Sequence, residues 1–143
     1  MAERFRAAID GGSRGNPGPA AWAVAVLDDD GACAEGHSGL LGRATNNVAE
    51  YRALIEALKL GAARGAKDVL IQADSELIVR QIEGRYRVRH PDLKPLHAEA
   101  LRIIGGFASF SLRHVRREQN KDADRLVNRA LDGVPAAAET ACP

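Results

Sequence analysis

The sequence predicts a single α/β domain, a five-stranded mixed sheet covered by helices. Three observations predict it. The chain has 143 residues, 45% hydrophobic and 27% charged, long enough for one core and too apolar for a disordered chain. Segments of strand and helix character follow one another as three strands, a helix, a strand, two helices, a strand and a helix. The first three strands are joined as hairpins and so run antiparallel, whereas a strand–helix–strand crossover sets the later ones parallel.

Arg4 to Asp10 reads as the first strand, with Phe5, Ala7 and Ile9 alternating against Arg6, Ala8 and Asp10. The stretch Gly11-Gly-Ser-Arg-Gly-Asn-Pro-Gly-Pro19 reads as a loop. Trp22 to Leu27 is a near-continuous apolar strand, and Asp28-Asp-Asp-Gly31 is a hairpin turn of Asp-Gly type. The return strand covers Ala32 to Leu41, weakly patterned and glycine-containing, as at a sheet edge. Asn46 or Asn47 is placed to cap a helix running to about Arg64. Asp68 to Ala73 is a compact strand around Val69-Leu-Ile71, and Asp74-Ser75 opens a short helix through Ile82. From Arg80 to Lys94, five Lys/Arg stand against two acids, so Gly84 to Pro91 is a basic connector. Pro95 suits the first turn of a helix to about Ile104. Ser109 to Val115 is the last strand. Asn120 then caps a helix with Leu126, Val127, Ala130 and Leu131 inward. Residues 1–132 form the domain. Residues 133–143 are Ala/Pro-rich and read as a tail or a shortened linker.

Charge and cysteine usage narrow the function classes. Twenty basic against nineteen acidic residues give a net charge of +1, so affinity for a polyanion has to come from local patches. No apolar run approaches the roughly 20 residues of a membrane span. The N-terminus runs straight into a strand pattern, unlike a secretion signal. Cys33 and Cys142 are the only cysteines, which argues against a disulfide framework or a Cys/His zinc site and for a reduced, cytoplasmic protein.

Four carboxylates sit where folding alone explains them poorly. Asp10 ends the first strand. Glu50 lies early in the first helix, about 200° around from Arg52 and on the side of Leu54 and Ala57. Asp74 ends the fourth strand, and Asp124 lies in the first turn of the last helix. Asp74 as a helix cap, Asp124 as a partner of the helix dipole and Asp10 as a turn former are the plain alternatives. Glu50 resists such a reading, because an acid turned toward a core is costly unless it is paired or bound to a cation. No early basic residue shares those faces. Mg²⁺ is held by a few carboxylates together with substrate phosphates. Two such ions stabilise both the attacking and the leaving oxygen of a phosphoryl displacement.

Four segments carry a resemblance. They are Ile9-Asp-Gly-Gly-Ser-Arg-Gly-Asn-Pro-Gly-Pro19, Arg43-Ala-Thr-Asn-Asn-Val-Ala-Glu-Tyr51, Ala73-Asp-Ser75 and Arg117-Glu-Gln-Asn-Lys-Asp-Ala-Asp-Arg-Leu126. In this order they resemble the type 1 ribonuclease H family over about residues 4–132. The resemblance implies the ribonuclease H-like fold, with Asp10, Glu50, Asp74 and Asp124 as catalytic, metal-holding carboxylates. It implies endonucleolytic hydrolysis of the RNA strand of RNA/DNA hybrids with two Mg²⁺, or Mn²⁺ as substitute, leaving a 5′-phosphate and a 3′-hydroxyl. It further implies that Gly11, Ser13 and Asn16 approach the RNA minor groove and that Arg43 and Thr45 grip a phosphate of the DNA strand. Asn46 and Ser75 would touch sugars or base edges.

Two departures stand out. Many members carry a histidine in a flexible loop before the last acid. Val115-Arg-Arg-Glu-Gln-Asn120 is too short for that loop, and His114 falls on the strand. Arg116 or Arg117 is the candidate to replace it by charge; solvated basic residues are the other reading. Many members also carry a long basic, Trp-containing protrusion. Only Arg85-Tyr-Arg-Val-Arg89 stands there, which predicts modest, salt-dependent affinity. Some members with both departures also cut RNA duplexes, so double-stranded RNA is a second candidate substrate. A monomer is expected.

The glycine loop lacks the G-x-G-x-x-G spacing of a dinucleotide site and the Lys-Ser/Thr ending of a phosphate loop. No G-x-S-x-G elbow is present. A catalytically silent binding domain on the same fold and another activity of the wider nuclease superfamily remain as alternatives. The four acids argue against the first. The Asp10–Pro19 and Arg43–Tyr51 motifs argue against the second.

Overall fold

The computed structural model describes residues 3–133 and Cys142. Five strands, β1 (Arg4–Ser13), β2 (Gly18–Leu27), β3 (Cys33–Ala44), β4 (Asp68–Ala73) and β5 (Ser109–His114), form one sheet in the order β3-β2-β1-β4-β5. β1 and β2 pair antiparallel, as do β2 and β3, while β1/β4 and β4/β5 are parallel. Four helices cover the sheet: α1 (Asn46–Ala63), α2 (Glu76–Ile82), α3 (Lys94–Ile104) and α4 (Lys121–Leu131). No described helix is long and apolar enough to cross a membrane.

The alternation along β1 decides which helix meets which face. Phe5, Ala7 and Ile9 join Leu54, Ile55 and Leu58 of α1 in the larger core. Burying such a side chain contributes about 1.5–3 kcal/mol, so Leu54→Ala is expected to cost about 2–5 kcal/mol. Ala8 points the other way, toward α4. There the sheet offers Ala21, Ala23 and Ala25, and the helix offers Ala123, Leu126, Val127 and Ala130. Small side chains let α4 lie close: a Cβ on Gly36 of β3 would come within 2.9 Å of the Leu126 methyls.

Three departures from the sequence reading lie in the sheet and at its edge. The first loop is shorter than Gly11–Pro19, because the ladder continues through Gly11↔Trp22, Gly12↔Ala21 and Ser13↔Ala20. Glycine weakens a strand but does not forbid one where another backbone approaches closely. Likewise β3 extends past Leu41 to Ala44, with irregular register opposite Ala20/Ala21. Third, Cys33 and Cys142 form a disulfide, Cα–Cα 5.9 Å, against the expectation of reduced thiols. Their 109-residue separation hides a proximity that the antiparallel edge and α4 create. Of the expected tail, residues 134–141 and 143 lie outside the described residues.

Candidate active site

The carboxylates meet where the sheet changes from antiparallel to parallel. Asp10 follows Ile9 at the last rung of the β1–β4 ladder, Ile9↔Ala73, and Asp74 follows Ala73 directly. Adjacent parallel strands therefore deliver two acids side by side. Ser75, not Asp74, caps α2: its hydroxyl accepts from the Ile78 N–H at 3.3 Å. Asp74 is left to face the cleft.

Glu50 arrives from α1. Thr45 caps that helix, in place of Asn46 or Asn47, by accepting from the Val48 N–H at 3.2 Å. One turn later Glu50 reaches past Gly11, whose N–H donates to Glu50 Oε1 at 3.1 Å. This is possible because Gly11 has no side chain. A Cβ there would lie 2.2 Å from the Ala49 carbonyl carbon.

Oxygens of Asp10, Glu50 and Asp74 lie within 4.8 Å of one another. Asp124 enters the same cleft from the first turn of α4, with the Arg117 guanidinium 3.8 Å from its Oδ1. The cleft has a volume of about 460 Å³. Burial pushes the Asp10 carboxyl up to about 7; the Asp74 and Asp124 charges add to this, and a hydrogen bond with Glu50 opposes it. Glu50 is raised well above the ordinary range, first by burial and then by the Asp10 charge. Asp74 is raised by burial and by Asp124, against the pull of Arg117 and His114. Glu50 Oε2 is buried without a hydrogen-bond partner. An all-oxygen donor set, mutually repelling and with one orphaned oxygen, fits a hard divalent cation.

The other predicted residues divide. Gly11, Ser13, Asn46, Ser75 and Arg117 line this cleft; Asn16, Arg43, Thr45 and Arg116 do not. Arg43 and Thr45 border a separate cleft of about 580 Å³ with Pro17, Val48, Pro95 and Leu96. Asn46 and Asn16 lace the β1–β2 turn to the start of α1. Asn46 Oδ1 accepts from the Ser13 N–H at 2.8 Å, and Asn16 Oδ1 accepts from the Asn46 N–H at 3.1 Å. The Ser13 hydroxyl donates to the Gly15 carbonyl. The Arg116 N–H donates to Gln119 Oε1 at 3.3 Å. Sequence reasoning missed Gly12, Arg14, Asn47 and Asn128, which also line the carboxylate cleft. The i,i+4 spacing of Asn128 from Asp124 was the available signal.

Known proteins are similar to this chain in sequence and in fold. A family model described as reverse transcriptase-like matches residues 8–130. The chain belongs to the type 1 ribonuclease H family. Ribonuclease HI of Halobacterium salinarum is 47% identical over 131 residues, covering 90% of this chain and 65% of the relative. A bifunctional protein of Mycobacterium tuberculosis is 44% identical over 133 residues, covering 92% of this chain and 36% of the relative. The chain thus spans under two thirds of either of these relatives. Among solved ribonuclease H structures, LC11-RNase H1 in complex with an RNA/DNA hybrid superposes with a TM-score of 0.84 at 41% identity, covering 90% of this chain and 97% of that one.

Proposed function

We propose that the chain is a metal-dependent endoribonuclease that hydrolyses the RNA strand of RNA/DNA hybrids, leaving a 5′-phosphate and a 3′-hydroxyl. The convergence of Asp10, Glu50 and Asp74 around an orphaned buried oxygen carries this reading. The similarity to a ribonuclease H crystallised on a hybrid supports the substrate class.

Asp10, Glu50, Asp74 and Asp124 would hold two Mg²⁺ or Mn²⁺ ions, Asp10 serving both, Glu50 and Asp74 completing one subsite and Asp124 the other. Bound there, the ions supply Lewis-acid stabilisation of the attacking and leaving oxygens. The remaining work falls to this chain's own groups. Gly11, Ser13, Asn46 and Ser75 line the cleft wall where the 2′-hydroxyls that distinguish RNA would pass. Asn16 braces that wall through Asn46. Arg43 and Thr45 offer a cationic and a hydroxyl group to a DNA phosphate in the neighbouring cleft. Arg117 sits at the cleft with its side chain 80% exposed, placed to meet phosphate charge in the role that a loop histidine would fill. Arg116, outside the cleft, is the weaker candidate. Double-stranded RNA is the second substrate to test, and the working form is a monomer.

The experiment is a cleavage assay on hybrids with each strand labelled, alongside RNA/RNA and DNA/DNA duplexes, in Mg²⁺, Mn²⁺ or chelator. The expected result is metal-dependent cutting of the RNA strand that Asp10→Asn abolishes. A hybrid that is bound but uncut in either metal would make the chain a binding module instead.

A further inference from the structure

One buried side chain beside the site is not explained by folding. Asn120 is 1% exposed. It precedes α4 but makes no side-chain cap to that helix. Its Nδ2 instead donates to the Ile9 carbonyl at 2.8 Å, 111 residues away in sequence. Its Oδ1 is buried with no hydrogen-bond partner. Burying an unpaired amide oxygen opposes folding, so retaining asparagine here calls for a gain other than stability.

The partners of Asn120 indicate that gain. The carbonyl it grips belongs to the peptide joining Ile9 to Asp10. Its own main-chain carbonyl accepts from the Asp124 N–H at 3.2 Å. One residue therefore connects the backbone of Asp10 to the backbone of Asp124 with a single hydrogen bond on each side. The two acids come from β1 and from α4, which otherwise meet through apolar packing of Ala8 against Ala123, Leu126, Val127 and Ala130 and, just past the end of β1, through Arg14 on the Asn128 carbonyl and Asp132; at the acids' own end of α4 the polar link is Asn120. A weaker tether runs parallel to it: Gln72 Nε2, two residues before Asp74, donates to the Gln119 carbonyl at 3.2 Å. The Val115 N–H also donates to the Ala73 carbonyl at 2.9 Å. The segment leading into α4 is thus fastened to both strands beside the acids they carry.

We infer that Asn120 is a positioning residue that sets the span between Asp124 and Asp10, and with it the fit of the second cation subsite; Gln72 assists from the β4 side. The inference rests on the proposed reading of the four carboxylates. Misplacing a catalytic group by about 1 Å is enough to cost about 100-fold in rate.

The test is a cycle of Asn120→Ala, Asp124→Asn and the double variant, read by calorimetric Mn²⁺ titration of the free protein, by kcat and KM on a hybrid, and by thermal melting. Expected are Mn²⁺ binding weakened about tenfold or more and kcat lowered by about 10- to 100-fold in Asn120→Ala, with KM within about threefold of wild type. In the Asp124→Asn background the same substitution should change neither quantity further, because the group it acts through is gone. Losses that multiply in the double variant would overturn the inference. So would an Asn120→Ala protein that melts earlier but, assayed below its transition, keeps wild-type kcat and Mn²⁺ affinity. If Asn120→Ala does not fold, Gln72→Ala at the exposed tether carries the test. It should lower kcat about threefold in wild type and not at all with Asp124→Asn; no effect in either background would refute the tether mechanism. A wild-type protein that cuts nothing refutes the proposed function, while the Mn²⁺ cycle still decides the role of Asn120.

Discussion

Gly11→Ala isolates the close approach on which the site's assembly depends. An added Cβ would lie 2.2 Å from the Ala49 carbonyl carbon, 2.3 Å from its oxygen and 2.4 Å from the Glu50 nitrogen, where ordinary contact begins at 3.4 Å. All three atoms are backbone, so no rotamer change relieves the overlap. β1 and α1 must separate by about 1 Å, stretching the 3.1 Å bond from the Gly11 N–H to Glu50. Overpacking of this kind costs about 1–3 kcal/mol, and a domain of this size loses roughly 3 °C of Tm per kcal/mol. A fall in Tm of about 3–10 °C is therefore expected, with kcat reduced about 100-fold as Glu50 moves. Gly12→Ala is the control, since its Cβ meets only the Val127 Cγ1, at 3.4 Å. Both variants would be melted in chelator and then assayed on hybrid. If both melt within about a degree of wild type, the close approach of β1 and α1 is not what glycine serves there.

Three further outcomes are expected. Closing a loop between residues 109 apart stabilises by up to about 5 kcal/mol in the chain-entropy model, so Cys33→Ser or added reductant should lower the urea midpoint; coincident unfolding curves would refute this. The raised Asp10, Glu50 and Asp74 carboxyls hold protons in the folded state that the unfolded chain releases near 4. Their contribution to stability is accordingly full at low pH and lost as pH rises through the folded value, about 7 for Asp10. Mg²⁺ should then raise Tm clearly at pH 8 and little at pH 5, and an equal rise at both would count against a carboxylate site. Replacing Arg85, Arg87 and Arg89 by Ala should flatten the dependence of hybrid affinity on salt, by about 0.9 in log–log slope for each phosphate left without its cation; an unchanged slope would show that the connector does not touch the hybrid.

What the sequence made legible was local. The alternation Phe5/Ala7/Ile9, the apolar run in β2 and the bounds of β4 and α2 could be read because each pattern lies within one element. Asp74 and Asp124 could be singled out because each sits at the end of an element, Asp10 because the alternation of the first strand gives way there to glycine, and Glu50 because its helix face turns it toward the core. Features that depend on distant partners were hidden. That Gly11 belongs to a strand follows from its pairing with Trp22, and that it is glycine from the backbone of α1 beside it, neither of which a local rule anticipates. Thr45 caps α1 where Asn46 has the right chemistry too, because Asn46 is taken up by Ser13. Asn120 has the composition of a cap and the position of a cap, yet its amide goes to Ile9. Arg43 and Thr45 share a motif with Glu50 but border another cleft, since Arg43 lies on β3 and Thr45 caps α1, both before the helix that carries Glu50 begins.

The Cys33–Cys142 link also decides how the molecule would respond to force. It closes a covalent ring that includes β3, β4, β5 and all four helices. β1 and β2 lie outside that ring, although β1 is the centre of the sheet. Pulled from its two ends, the oxidised chain could release only the residues before Cys33, about 110 Å of extended backbone, against roughly 490 Å for the reduced one. The strand withdrawn first would be the one bearing Asp10, while Glu50, Asp74 and Asp124 stay joined within the ring. Mechanical load would thus take one member of the carboxylate group away from three that remain covalently linked.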